Sequence, residues 1–443
     1  MSRSLQFARL KALQPVLRRL VPAIRTEPDT TRGFSPDIPA GAERLAELLG
    51  AHINGNEFGQ HLVLRRWFSD PIADGPTYLE KPLAAGMLRL LDPHAPSCAL
   101  DLKNWLFLDT ETTGIAGGTG TYPFLIGIAW WDAGCLEVEQ FFMREQSEEH
   151  SLLVTLAERI AERPVIISFN GKSFDWPLLE TRYRMTRVIK PPVPDAHLDF
   201  LHPARNLWRL RLGSVRLAEL EKHVLGFDRG ADVVSEIIPQ IYFDYLRGGP
   251  PEPLVAIFLH NQMDLRGLAR LASRILALLE DPEKQSRDPL EIFGLSRICE
   301  RRGESARARR LYQASIAGEL PVAAGRMARR SLARLAKRDG DHSLACQLWE
   351  EILDHSREGF EAYEQLAIYY EHCAREPHRA LTFTQKALIE LRHANRLGAI
   401  APGAHKLWRL RFRQRLARLE RKAGRSLLDA FATESQTPAE ESN

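Results

Sequence analysis

The stretch LFLDTETTG (106–114) decides how this chain is read. An apolar lead-in, Trp105 to Leu108, runs into two carboxylates, Asp109 and Glu111, with one residue between them. So short an apolar run suits a buried strand, along which side chains two apart point to one face. Asp109 and Glu111 therefore project together from a strand end. Neighbouring carboxylates repel each other, and a bound hard cation is the best explanation for keeping them side by side. Two solvent-facing acids on an edge strand are the competing reading, which the apolar lead-in disfavours.

Outward from this stretch, FLIGIAWW (124–131), CLEVEQFFM (135–143) and PVIISF (164–169) read as further strands. SLLVTLAERIAE (151–162) has helical periodicity, and helices follow up to about 280. Strand, strand, strand, helix, strand and then helices predict a mixed α/β domain over 101–283. Residues 42–100 mix a helix, AERLAELL, with short strands such as HLVLRRWF, and are expected to form an extension packing on that domain. Residues 1–41 divide into a basic stretch to 25, holding Arg3, Arg9, Lys11, Arg18, Arg19 and Arg25 without an acid, and a turn-rich linker. The first stretch reads as a helix; a transit peptide or basic amphipathic arm is its alternative.

Residues 284–425 are helical throughout and repeat. Leu295-Ser296, Leu332-Ala333 and Leu366-Ala367 open similar units, and Ala308, Ala345 and Ala380 follow at near-equal offsets. The steps between the openings are 37 and 34 residues, against roughly 34 for a tetratricopeptide repeat. Small residues at such positions let paired helices approach and stack. An acidic, disordered tail is expected over 426–443.

Two more pieces carry chemistry. In SFNGKSFDWP (168–177), Asp175 stands ahead of Pro177 and a helix, where by itself a helix N-cap is the better reading. In FLHNQMDLRGLARLA (258–272), His260 and Asp264 lie four apart and share a helix face; alone they are equally well an exposed polar pair. Taken together, the pieces place acids on a strand, at a loop-to-helix junction and on a late helix. That is the set a two-metal nuclease needs, with carboxylates around two cations about 3.5–4 Å apart. No nucleophilic side chain is required. GGTGT (117–121) lacks the lysine of a nucleotide P-loop and reads as a turn near the substrate. His197 and Asp199 suit a supporting role, a core role or a surface role equally, and Lys172 is a cation beside the second piece.

At these residues a resemblance emerges. The three segments resemble the three motifs of the DEDD (DnaQ-like, RNase H fold) exonucleases, and Asn170 with Phe174-Asp175 is similar to the second motif of family B polymerase proofreading domains. With GIAGGTGTY (114–122) and the terminal repeats, the whole resembles the bacterial YprB-type exonucleases. The resemblance implies an RNase H-like mixed sheet flanked by helices, followed by tetratricopeptide-like helices. It implies that Asp109, Glu111, Asp175 and Asp264 hold two Mg²⁺ or Mn²⁺ ions, and that His260 is the general base. One departure stands out. His260 sits four residues before Asp264, the spacing of the tyrosine branch of that superfamily, whereas the histidine branch uses five.

Composition bounds the rest. The chain of 443 residues carries 60 Lys and Arg against 57 Asp and Glu, but the balance is uneven. Residues 284–425 hold 29 bases and 17 acids, and nine of those bases crowd into 406–425. On spacing alone that cluster reads as a solvated helix face; as a surface it suits nucleic acid or an acidic partner. Five scattered cysteines suit a reducing compartment and no disulfide framework. No run is apolar enough for a membrane span. The residues themselves lead to the expectation of a cytoplasmic, metal-dependent nuclease, and the resemblance implies that it is a 3′–5′ exonuclease. Through the resemblance, DNA is favoured over RNA, with a role in DNA repair and a helicase partner for the repeats. The alternatives are an RNase H-like endonuclease or RNA-processing exonuclease, and a silent nucleic-acid-binding scaffold.

Overall fold

Continuous apolar runs need cover on both sides, and in the computed structural model they lie at the centre of one sheet. The structure describes residues 40–69, 82–114, 120–132, 134–230, 232–354 and 359–434, without the side chains of 40–42 and 423–434. The basic stretch 1–25, the linker before residue 40 and most of GGTGT fall outside the described residues. The chain divides into two units, residues 1–286 and 287–443.

The first unit begins with α1 (Ala40–Leu49), β1 (His52–Asn56), β2 (Gly59–Phe68) and α2 (Ala85–Leu91). Next come β3 (Trp105–Thr112), β4 (Pro123–Asp132), β5 (Cys135–Phe142), α3 (Glu149–Glu162), β6 (Val165–Ser168), α4 (Asp175–Thr186) and β7 (Ala196–Asp199). It ends with α5 (Leu201–Leu212), α6 (Leu217–His223), α7 (Ile238–Leu246), α8 (Leu254–Glu280) and the short α9 (Pro282–Gln285). The sheet order is β1-β2-β5-β4-β3-β6-β7. Strands β3, β6 and β7 are parallel and the remaining pairs antiparallel, so the sheet is mixed as the element order predicts. The segment expected to pack on the domain supplies two strands of this sheet, β2 pairing with β5 from Leu62 to Phe68.

The two faces of β3 are covered by different helices. Asp109 faces α8, where Asn261 meets it, whereas Thr110 points the other way and meets Asp175 at the start of α4. Gly127 lies opposite Asp109 in the ladder, and a Cβ there would fall 2.0 Å from Asn261 Oδ1 and 2.8 Å from Leu265. A glycine inside a strand marks such a close approach. It lets α8 lie flat on β3 and β4, which brings His260 and Asp264 to the strand end. Leu106, Leu108, Ile126, Ile128, Phe141, Leu153, Leu156, Ile166, Leu179 and Phe258 belong to the core that fixes this arrangement.

The second unit is helical: α10 (Pro289–Arg301), α11 (Ser305–Ala317), α12 (Val322–Arg338), α13 (His342–Asp354), α14 (Phe360–His372), α15 (Pro377–Arg396) and α16 (Pro402–Glu434). Leu295, Leu332, Leu366, Ala308, Ala345 and Ala380 are all buried. Gly303 and Gly340, both with positive φ, turn the chain between partners. Residues 426–434 continue the backbone of α16, where Ser426-Leu-Leu-Asp-Ala-Phe contains good helix formers, and the rest of the expected acidic tail lies outside the described residues.

The basic cluster of α16 is only partly a solvated face. Arg411 pairs with the buried Glu364, and Arg415, Arg418 and Lys422 converge on the buried Glu371. A buried carboxylate must be paired, and these cations satisfy it. Lys406, Arg409 and Arg413 remain exposed along another stripe of the helix.

Candidate active site

Three elements deliver the acids. Strand β3 presents Asp109 and Glu111, the first turn of α4 presents Asp175, and α8 presents His260 and Asp264. Glu111, His260 and Asp264 meet directly, and Asp109 and Asp175 lie near enough to feel the charge of the other acids. His260 Nε2 lies 3.4 Å from Asp264 Oδ2 and 4.0 Å from Glu111 Oε1. Donor atoms of Glu111, His260 and Asp264 all fall within 4.8 Å of one another, close enough to share an ion. The N-cap position of α4 is Phe174 rather than Asp175, and Asp175 Oδ1 accepts a 2.5 Å hydrogen bond from Thr110 Oγ1. The acid that by itself reads as a cap is thus tied to β3.

The electrostatics show what this arrangement lacks. Burial, reinforced by Asp264, Glu111 and Asp175, holds the Asp109 carboxyl well above the usual carboxylate range. Burial also pushes Glu111 up to about 8, His260 opposing and the neighbouring acids adding. Asp175 is raised by burial, and its bond from Thr110 offsets part of the rise. Burial acts to lower His260, but the hydrogen bond to Asp232 and the charges of Asp264 and Glu111 outweigh it and push the ring up to about 9. A group of carboxylates that repel one another in a half-dry site is short of positive charge, and its oxygen donors suit hard divalent cations.

This has a consequence for stability. In protein freed of metal by chelation, Glu111 titrates near 8 against 4.5 in an unfolded chain, and His260 near 9 against 6.5. Between those values the folded state binds more protons than the unfolded one, so stability falls as pH rises. The Glu111 share is lost between about 4.5 and 8. The His260 share is full below 6.5 and is lost as pH passes through 9. The Tm of chelated protein is expected to be lower at pH 9 than at pH 6, with Mn²⁺ shrinking the difference. A flat or rising Tm counts against this charge balance.

Several supporting residues are not among those picked out by sequence. Asn261 Nδ2 donates to Asp109 Oδ2 at 2.7 Å, and Gln140 Nε2 donates to Asn261 Oδ1 at 2.7 Å. Gln262 Nε2 completes this row of amides by donating to Gln140 Oε1. Arg229 Nη2 reaches Asp264 Oδ1 at 2.5 Å, its Nη1 reaches Asp232 Oδ2 at 3.1 Å, and its Nε pairs with Glu221. Asp232 Oδ1 lies 2.7 Å from His260 Nδ1. Asn261 and Gln262, polar between apolar helix residues, and Gln140 beside Phe141 were the available signals, since buried amides need partners. Arg229 and Asp232 sit in FDRGAD (227–232), which has no periodicity to mark them.

Asp199 accepts from the backbone N–H groups of Asn170, Lys172 and Leu201, at 2.8, 3.2 and 3.0 Å, and so fixes the loop that leads to Asp175. A Cβ on Gly171 in this loop would fall 2.5 Å from that of Ser168, so the loop folds tightly against β6. His197 Nε2 lies 2.7 Å from Ser168 Oγ, beneath the same loop. Lys172 lies 3.6 Å from Asp92, a surface ion pair.

A family model described as the RNase H superfamily matches residues 106–276, which run from β3 through most of α8. The chain is 30% identical over 295 residues to the YprB protein of Bacillus subtilis (strain 168), spanning 65% of this chain and 70% of that one. Among solved structures, the family B DNA polymerase of the hyperthermophilic archaeon Pyrobaculum calidifontis is similar at 14% identity with a TM-score of 0.30, over 45% of this chain and 29% of the polymerase. No described helix is long and apolar enough to cross a membrane. On its identity to YprB and on the matched sheet-and-helix segment, the chain belongs to the YprB-type RNase H-like proteins.

Proposed function

We propose that this protein is a divalent-metal-dependent 3′–5′ exonuclease that hydrolyses phosphodiester bonds of DNA in the cytoplasm, in the service of DNA repair. The convergence of Asp109, Glu111, Asp175 and Asp264 at one strand end is the observation that carries the reading. An RNase H-like domain is the scaffold of a nucleic-acid hydrolase, and the likeness of the three motifs to DEDD exonucleases supports the exonuclease mode and direction.

The four carboxylates would hold two Mg²⁺ or Mn²⁺ ions, their oxygen donors matching those cations. Such ions, when bound, lower the pKa of water and stabilise charge on the leaving oxygen. The chain's own residues do the rest. Asn261 and Thr110 fix Asp109 and Asp175 by hydrogen bonds, so the acids hold position before substrate arrives. Arg229 orients Asp264. His260 turns Nε2 toward Glu111 and Asp264; bound cations would offset the acid charges that hold the ring protonated, leaving Nε2 free to take a proton from the attacking water. In the second unit, Lys406, Arg409 and Arg413 offer exposed charge to a phosphate backbone, and binding through them weakens as salt rises.

The test is incubation of the full chain with Mn²⁺ or Mg²⁺ and 5′-labelled linear DNA, linear RNA and a closed DNA circle. Stepwise shortening of linear DNA from its 3′ end is the expected result. Cleavage of the circle overturns the exonuclease reading, preference for RNA points to RNA processing, and inertness with either metal favours a binding scaffold.

A further inference from the structure

We propose that Asp232, from the loop before α7, is the positioning residue of His260: it accepts the hydrogen bond of Nδ1–H and thereby aims Nε2 at the carboxylate cluster. The inference rests on the nuclease reading for its kinetic consequence, but its geometry stands apart from it.

An imidazole among acids has two nitrogens that can face them, and a ring flip exchanges the two. His260 is buried on α8, where its own helix leaves that choice open. Asp232 decides it. Its carboxylate is held below the usual range, because the bond to His260 and the charge of Arg229 outweigh its burial. Both of its oxygens accept, from Arg229 and from the Val233 N–H, so the 2.7 Å contact makes His260 Nδ1 the donor. Nε2 is left facing Asp264 Oδ2 and Glu111 Oε1. A carboxylate on the far nitrogen of a working histidine fixes both tautomer and ring orientation.

Asp232 is itself held. Arg229 Nη1 donates to its Oδ2, and the backbone N–H of Val233 donates to its Oδ1 at 2.7 Å. The same guanidinium grips Asp264 and Glu221, so one side chain sets the spacing between His260's partner and the last acid of the site. The brace needs α6 tight against α8. A Cβ on Gly267 would fall 1.7 Å from Glu221 Oε1, so glycine makes room for it. Without the Asp232 carboxylate, Arg229 keeps Glu221 and Asp264, so Asp232 variants are expected to fold.

The experiment uses the full chain with Mn²⁺ and end-labelled linear DNA. Asp232→Ala is expected to lower kcat about ten- to a hundredfold with KM and Mn²⁺ affinity nearly unchanged, and Asp232→Glu to recover part of the loss. Combined with His260→Ala it adds nothing to the loss of His260→Ala alone, because the two act as a unit. An equal loss in the His260→Ala background makes Asp232 a general support and overturns the proposal. In parallel, ¹⁵N-histidine NMR reads the hydrogen-bonded Nδ1 proton of His260, assigned by its absence from His260→Ala. Its loss in Asp232→Ala supports the positioning role even if the protein proves inactive, in which case the nuclease reading alone fails. Its persistence in Asp232→Ala overturns the role whatever the activity.

Discussion

Asp109→Asn is expected to reduce exonuclease turnover by at least about a thousandfold while leaving chelated protein as stable as the parent or more so. The two halves of this result have one cause. Asp109 is withdrawn from water and surrounded by Asp264, Glu111 and Asp175, whose charges disfavour its ionised form. An amide of the same shape removes that repulsion and still accepts the hydrogen bond of Asn261. It is a poorer ligand for a hard cation than a carboxylate. Metal ions supply several kcal/mol of charge stabilisation in such reactions, and each 1.36 kcal/mol is a factor of ten in rate. Initial rates with Mn²⁺ and Tm in chelator measure the two halves separately. Unchanged turnover removes Asp109 from the site. A fall in stability alongside activity would make it a residue of the fold instead.

How much of this was legible in sequence depended on the range of the interactions. Asp109 with Glu111, and His260 with Asp264, were readable because strand and helix periods turn a spacing of two or four into a shared face. The mixed sheet was readable for the same reason, from apolar runs of strand length. Asp175 was not separable from a helix cap, because its partner Thr110 is 65 residues away in the chain. The pairing of β2 with β5 crosses a similar distance and leaves no local mark on HLVLRRWF. Arg229 and Asp232 reach 35 and 28 residues forward from an irregular loop to Asp264 and His260. Nothing in FDRGAD distinguishes those charges from solvated ones. The nine bases of 406–425 show the opposite limit. Their number was plain, but which ones answer Glu364 and Glu371 is decided by helix packing, and only the rest remain for a partner.

His260→Ala separates the two jobs a histidine can hold at this position. If it takes the proton of the attacking water, turnover falls by about 10²–10⁴ while the carboxylates, all intact, bind Mn²⁺ as before. The geometry favours this outcome: Nδ1 is engaged by Asp232, and Nε2 faces the acids at 3.4 and 4.0 Å. Those distances also admit a ligand role, since donor atoms of Glu111, His260 and Asp264 lie within 4.8 Å of one another. A ligand lost takes metal affinity with it, so titration calorimetry with Mn²⁺ beside single-turnover rates distinguishes the cases. Slow chemistry with near-parental Mn²⁺ binding, partly restored by added imidazole, identifies the base. A collapse of both places His260 among the ligands. Near-normal turnover means that the step of four residues to Asp264 leaves the ring as a spectator, and the proton must leave by another route.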